Sequence, residues 1–253
     1  WSSDVCSSDL EGQRLYFYAR QMADLQCKIK EEFGHRKTEE KQCIAIAAST
    51  VPAQYLLPEL LAKFNEKYPG EQLRIREMDS AQVVEQVSEH KADIGFTGTV
   101  LEKKHCRYIP FYRDEMVIIA PNSGRYQAID RTSGDISWIC QEAMLMREEG
   151  SGTRKEAERQ LAELGILPQQ LNIMASIGNQ ETIKKSVIQG LGISILSNLA
   201  VREEVEDGRL LAFPVPSKRS GRDINVVYNK NYQLSKSAKR FLRTVKEAYK
   251  VKE

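Results

Sequence analysis

ADIGFTGT (residues 92–99) decides the fold when it is set beside REEGSGTR (147–154) and GNQETIKKSVIQGLGISILS (178–197). Each couples a strand end or a helix start to a small or hydroxyl-bearing turn. Such turns place backbone N–H groups and side-chain oxygens around a small polar ligand.

Outward from residue 92, the preceding sequence alternates between strand and helix signals. CIAIAAS (43–49) reads as a short buried strand. PAQYLLPELLAKFNEKYP (52–69) reads as an amphipathic helix with Leu57, Leu60, Leu61, Phe64 and Tyr68 inward. QLRIREMD (72–79) alternates Leu73 and Ile75 with Arg74 and Arg76, and Ser80 is positioned to cap a helix carrying Val83, Val84 and Val87 on one face. ADIGF and MVIIAP (116–121) supply further strands. This β-α-β-α-β order predicts a mostly parallel, helix-covered sheet.

A second unit of the same kind follows, with strands at 143–147, 171–176 and 192–197 and helices at 151–164 and 180–191. After Leu210, LLAFPV and DINVVYN give two more strands. The last helix presents Ala238, Phe241, Leu242, Val245 and Tyr249 on its apolar face. The reading is α/β: two similar lobes with a cleft between them, residues 43–120 and 214–253 forming lobe I and residues 121–213 lobe II. A chain of 253 residues can bury the core this requires.

The front of the chain differs. WSSDVCSSDL (1–10) fits nothing downstream and reads as a non-native leader; it has no cationic region followed by an apolar core, so it is not a secretory signal. From Glu11 to about Phe33 the pattern is helical, and Leu15, Tyr18, Met22, Leu25 and Ile29 alternate steps of three and four as a coiled-coil seam does. Polar GHRKTEEKQ (34–42) follows as a linker and hinge. The stripe could pack on its own domain. A helix set apart by a linker instead points to a partner subunit as the surface that buries it.

Composition excludes several classes. Hydrophobic residues make up 41% and charged residues 28%, and no apolar run is long enough for a membrane span. Net charge is +2, without the basic excess of a dedicated nucleic-acid binder. Residues 217–253 hold 11 Lys/Arg against 3 Asp/Glu, a local +8, with Lys239, Arg243, Lys246 and Lys250 at helical spacing. That pattern suits a solvated helix face, with a phosphate-binding surface as the alternative. Cys6, Cys27, Cys43, Cys106 and Cys140 show no CxxC spacing, and with only His35, His90 and His105 no metal centre or cofactor is expected. Reduced cytosolic thiols are the default.

No enzymatic constellation stands out: G-x-S-x-G, the Walker A loop, H-E-x-x-H and a strand-linked G-x-G-x-x-G are all missing from the sequence. Glu148 and Glu149 are adjacent, and neighbours on a strand point to opposite faces. Ligand binding fits better. Ser49 and Thr50 sit where the first strand yields to the first helix. Thr97, Gly98 and Thr99 end another strand; Ser151, Gly152, Thr153 and Arg154 open one helix, and Asn179 and Gln180 another. Capping alone explains each singly, whereas four polar turns of one kind imply convergence on a cleft. Arg154 and Arg147 can add a charge-assisted bond, and for Arg154 the alternative is a surface pair with Glu158. A small anionic or zwitterionic ligand is expected.

EGQRLYFYAR, STVPAQYLLPELLAKFNEKYP, ADIGFTG and GLGISILS, in that order, resemble the linker helix, first effector-domain unit, "AD-hydrophobic-G" strand and late strand of LysR-type transcriptional regulators. The resemblance runs from about Glu11 to the end and leaves out the family's N-terminal winged helix-turn-helix. It implies two Rossmann-like lobes similar to type 2 periplasmic binding proteins, an effector cleft at the four turns named above, a homodimer or homotetramer joined through the linker helix, DNA as a partner through the winged helix-turn-helix, and no membrane. EEGSGTR and the TGT turn look most like a subgroup tied to sulfur or selenium assimilation. A transporter's solute-binding protein would use the same cleft, but should carry a secretory leader or lipid-anchor cysteine. An enzyme on this scaffold would need a nucleophile or acid/base pair in the cleft.

Overall fold

The computed structural model describes residues 10–33, 43–101, 105–131, 134–216 and 221–250. The chain divides into two units, residues 1–40 and 41–253. In the first, α1 (Leu10–Phe33) is one continuous helix. Leu15, Tyr18, Met22 and Leu25 are all more than half exposed along it; the side chain of Ile29 and the 34–42 linker lie outside the described residues.

The second unit contains β1 (Cys43–Ala48), α2 (Leu57–Lys67), β2 (Gln72–Glu77), α3 (Ser80–Ser88), β3 (Ile94–Thr97), β4 (Cys106–Asp114), β5 (Met116–Pro121) and the short α4 (Gly124–Gln127). There follow β6 (Ala143–Arg147), α5 (Gly152–Glu163), β7 (Asn172–Ile177), α6 (Gln180–Ile188), β8 (Ile193–Ser197), α7 (Asn198–Glu206), β9 (Leu210–Pro214), β10 (Arg222–Asn229) and α8 (Lys236–Ala248). One sheet runs β2-β1-β3-β10-β4 and the other β7-β6-β8-β5-β9. In each, three strands are parallel, and a fourth runs antiparallel beside them.

Helices cover both faces of each sheet. In the first, Leu57, Leu60 and Phe64 of α2 meet Ala238, Phe241 and Val245 of α8, while Val83 and Val87 of α3 pack on Ala47 and Val227. In the second, Ala157 and Leu161 of α5 pack on one side and Ile183, Val187, Ala200 and Val201 on the other. α8 keeps Lys239 and Arg243 exposed, and Arg243 pairs with Glu247, as a solvated face does.

The lobe boundary differs from the sequence expectation. MVIIAP, assigned to lobe I, forms β5 and pairs with β8 and β9 of the second sheet. The first crossing between lobes therefore falls at residues 114–116 and the second between β9 and β10, so the second sheet is the continuous run β5 to β9 and the first takes its antiparallel β10 from beyond the second crossing. Side chains also reach across: Tyr55 packs against the second lobe's core and Leu199 against the first's.

Two motif glycines have steric reasons. Beside Gly95, a Cβ would stand 2.6 Å from Val227 Cγ1 and 2.8 Å from Val87 Cγ2, so α3 lies close on the sheet. Asp93 accepts from the Ala45 amide at 2.8 Å, which ties β3 to β1. Gly192, which opens the late strand, has φ +153° and a Cβ position 2.1 Å from the Ala143 carbonyl oxygen. A backbone atom cannot step aside as a side chain can. Gly192→Ala is therefore expected to lower stability by roughly 1–3 kcal/mol, read as a fall in the urea midpoint at unchanged slope; an unchanged midpoint would contradict the close approach.

Candidate functional site

β1 ends at Ala48, Ser49 donates its amide to Phe96 O at 2.8 Å, and the chain turns helical at Thr50, running without a break into α2. β2 leads to Asp79, whose carboxylate accepts the Gln82 amide at 2.8 Å and caps α3. Ser80, expected as that cap, is instead the first helical residue: the longer Asp79 side chain reaches the free amide, and the Ser80 hydroxyl turns toward the other lobe. Opposite, β6 ends at Arg147 and a tight turn, with the Ser151 amide donating to Glu148 O at 3.0 Å, starts α5. Ser151 Oγ caps that helix, accepting from the Thr153 and Arg154 amides.

These ends meet. A Cβ on Gly152 would lie 2.5 Å from Thr99 Oγ1 and 2.6 Å from Ser80 Oγ, and one on Gly150 would lie 3.1 Å from Asp79 Oδ2. Glycine thus lets the α5 turn close onto the first lobe. Between them is a crevice of about 250 Å³, counting space open to solvent, lined by Ser49, Thr50 and Val51, by Met78, Asp79 and Ser80, by Arg147 and Glu148, by Ser151, Gly152 and Thr153, and by Arg222. The helical segments beginning at Thr50, Ser80 and Gly152 all start at its wall, bringing three positive dipole ends to one place, with the Gln82, Thr153 and Arg154 amides already held by the caps.

Two buried guanidinium groups face this space. Arg222, at the start of β10, donates through Nε to Asp114 Oδ2 at 3.0 Å and through Nη2 to Thr153 Oγ1 at 3.2 Å, and Ser197 donates to Asp114 Oδ1 at 2.6 Å. Its charge is fully used in joining the lobes at their crossings. Arg147, with a side chain 3% exposed, donates Nε and Nη2 to the two oxygens of Glu148, both at 2.8 Å. Its Nη1 is buried with no hydrogen-bond partner. A buried donor left unpaired costs the desolvation of that group, so the arrangement favours an acceptor in the crevice.

Of the residues singled out in the sequence, Ser49, Thr50, Ser151, Gly152 and Thr153 line the crevice, and Thr99 stands against Gly152 at its edge. Thr97 is fully buried and holds its own turn through the Thr99 backbone, while Gly98 packs on Arg222. Arg154 pairs with Glu158 at 2.8 Å and donates to Arg147 O at 3.2 Å, which stitches α5 to the end of β6. Asn179 caps α6. Gln180 makes a separate lobe-to-lobe contact, donating to Gln54 Oε1 at 2.8 Å and Tyr55 OH at 3.1 Å. Burial pushes the Tyr55 hydroxyl pKa up and keeps it neutral there. Asp79, Ser80, Glu148 and Arg222 are crevice residues that the sequence did not mark as such. For Arg222, 108 residues from its partner Asp114, no local pattern exists to find it.

Two α/β lobes joined by two crossings, with a polar crevice at facing helix starts, define a bilobed effector-binding domain of the type 2 periplasmic-binding-protein kind. The family described as LysR substrate binding domain matches residues 37–250, and the chain belongs to the LysR-type transcriptional regulators. It is 29% identical over 238 residues to the HTH-type transcriptional regulator CysL of Bacillus subtilis (strain 168), covering 94% of this chain and 78% of that protein. Among solved structures, it is similar to the effector-binding domain of QuiR in complex with shikimate (TM-score 0.73, 16% identity, 83% of this chain and 98% of that one). It is also similar to the regulatory domain of CcmR from Synechocystis PCC6803 in complex with 2-PG (TM-score 0.69, 25% identity, 83% and 98%). Regulators of this family bind small effectors and DNA and form oligomers. No helix among the described residues is long and apolar enough to cross a membrane.

Proposed function

We propose that the crevice is the effector site and that it takes a small oxyanion, of the kind met in sulfur or selenium metabolism, to control how the regulator engages DNA. The observation that carries this is Arg147 Nη1, a buried cationic donor without a partner beside three helix starts. Charge-assisted bonds contribute about 1.5–3 kcal/mol each and each helix start about 0.3–1 kcal/mol. Together they reach the millimolar-to-micromolar range. Size restricts the ligand: the free interior of the crevice is about 10 Å³, room for about one water-sized group, so the effector is small and the crevice widens to admit it. The similar domains of QuiR and CcmR hold small molecules, shikimate and 2-PG, which agrees with a small-molecule effector here.

The exposed Leu15, Tyr18, Met22 and Leu25 of α1 support a homodimer or homotetramer joined through that helix, with DNA read by the family's winged helix-turn-helix in the cytoplasm. An effector shifts such an assembly only by its preference for one arrangement, typically about 1–3 kcal/mol.

The test is a thermal-shift series with sulfate, sulfite, thiosulfate, selenite and O-acetylserine. A ligand at 100 times its Kd adds about 2.7 kcal/mol, and at about 2–4 °C per kcal/mol the melting point rises by roughly 5–10 °C. A rise with an oxyanion is expected. A rise confined to zwitterionic O-acetylserine would replace the oxyanion with an amino-acid-like effector.

A further inference from the structure

We propose that Glu148 is a built-in competitor for the effector: in the ligand-free chain its carboxylate occupies Nε and Nη2 of Arg147, and an incoming oxyanion takes them over. The inference rests on the reading of the crevice as an oxyanion site, and adds what sets its affinity and selectivity.

The two members of the pair are unequally fixed. The Arg147 side chain is 3% exposed and that of Glu148 is 35% exposed. Arg147 is the last residue of β6, and its carbonyl accepts from both Arg154 Nη1 and Ser176 Oγ, so its backbone is pinned from two sides. Glu148 is the first residue of the turn, with one edge toward solvent. On its other flank is Gly178, whose Cβ position is 4.0 Å from Glu148 Oε2, so no side chain crowds the carboxylate there. The carboxylate can swing into water, where it is well solvated. The guanidinium cannot follow and must find its counter-charge in the crevice.

A planar guanidinium presents its donors in a fork that a carboxylate and a tetrahedral oxyanion both fit. Glu148 fills one edge of the fork and leaves the buried Nη1 over. An oxyanion with three or four oxygens and access to the starts of α3 and α5 satisfies Nη1 as well. The competition is intramolecular, so Glu148 acts at a high effective concentration. Only an anion with more charge or more acceptors than a single carboxylate displaces it. Monovalent anions such as chloride, with one charge and a single acceptor atom, are screened out.

Titration calorimetry of sulfate and sulfite into the whole chain tests this. In Glu148→Gln the fork loses its internal anion, and both ligands are expected to bind tenfold or more tighter than to the parent, with chloride becoming a measurable competitor. Glu148→Asp, too short to hold both bonds from the same backbone position, should fall between. Glu149→Gln removes the same charge from the exposed neighbouring residue, and should change affinity less than twofold. Equal or weaker binding by Glu148→Gln overturns the competitor role, and weaker binding would make Glu148 a ligand contact. If the parent binds sulfate or sulfite through Arg147 and only the Glu148 effect is missing, this inference fails and the site stands. If neither parent nor variant binds either ion, the oxyanion site itself is wrong, and this inference goes with it.

Discussion

Arg147→Gln is expected to weaken oxyanion binding by about a hundredfold or more, to the limit of calorimetric detection, while leaving a folded protein. The size follows from losing charge-assisted bonds of about 1.5–3 kcal/mol each at a site where burial strengthens them. Folding survives because the partner left behind, Glu148, is the more exposed member and can be solvated. Arg147→Lys separates charge from geometry. It restores the cation without the fork, so binding should recover only in part. Full binding by Arg147→Gln would remove the guanidinium from the site and leave the helix starts as the only anion donors.

The largest effect on stability is expected at Asp114. It lies at the crossing between lobes, 1% exposed, and its carboxylate receives Arg222 Nε and Nη2 from β10 and the Ser197 hydroxyl from the end of β8. Three chain segments thus converge on one buried anion. In Asp114→Ala, Arg222 remains buried with no counter-charge, and breaking a buried pair in this way costs about 3–5 kcal/mol. At about 2–4 °C per kcal/mol for a domain of this size, the melting point should fall by roughly 6–20 °C. Asp114→Asn keeps an acceptor for Arg222 and should lose less. A fall under about 2 °C for Asp114→Ala would show that the lobes are held together chiefly by apolar contacts such as Tyr55 on the second core.

Where periodicity was clean, the elements were legible. The apolar faces of α2, α3 and α8 and the alternation of strand and helix led to the two-lobed fold, and ADIGF and GLGISILS mark places where glycine is sterically required. β4 was not legible because Pro110 and charged Arg107 and Arg113 break its strand pattern. The edge of the sheet tolerates them, and the register shifts between Ile224 and Asn225 opposite Pro110. α7 escaped for a related reason: its inward Glu204 answers buried Lys184 of α6 at 2.8 Å, so a charge sits where an apolar residue would have marked the face. Sequence likewise assigned Asn179 and Gln180 to the cleft with the other polar turns. Which face a capping residue presents depends on the partner lobe, and the Gln54 and Tyr55 contacts of Gln180 have no local signature.

The central claim is that the crevice closed by the Gly152 turn is an oxyanion receptor centred on Arg147. A crystal structure grown with selenite tests it most directly, because selenium scatters anomalously and cannot be mistaken for water. The account predicts an anomalous peak between the helix starts at Thr50, Ser80 and Gly152, with an oxygen in hydrogen-bonding distance of Arg147 Nη1. A peak on the outer lysines of α8, with the crevice unoccupied by selenium, would contradict it.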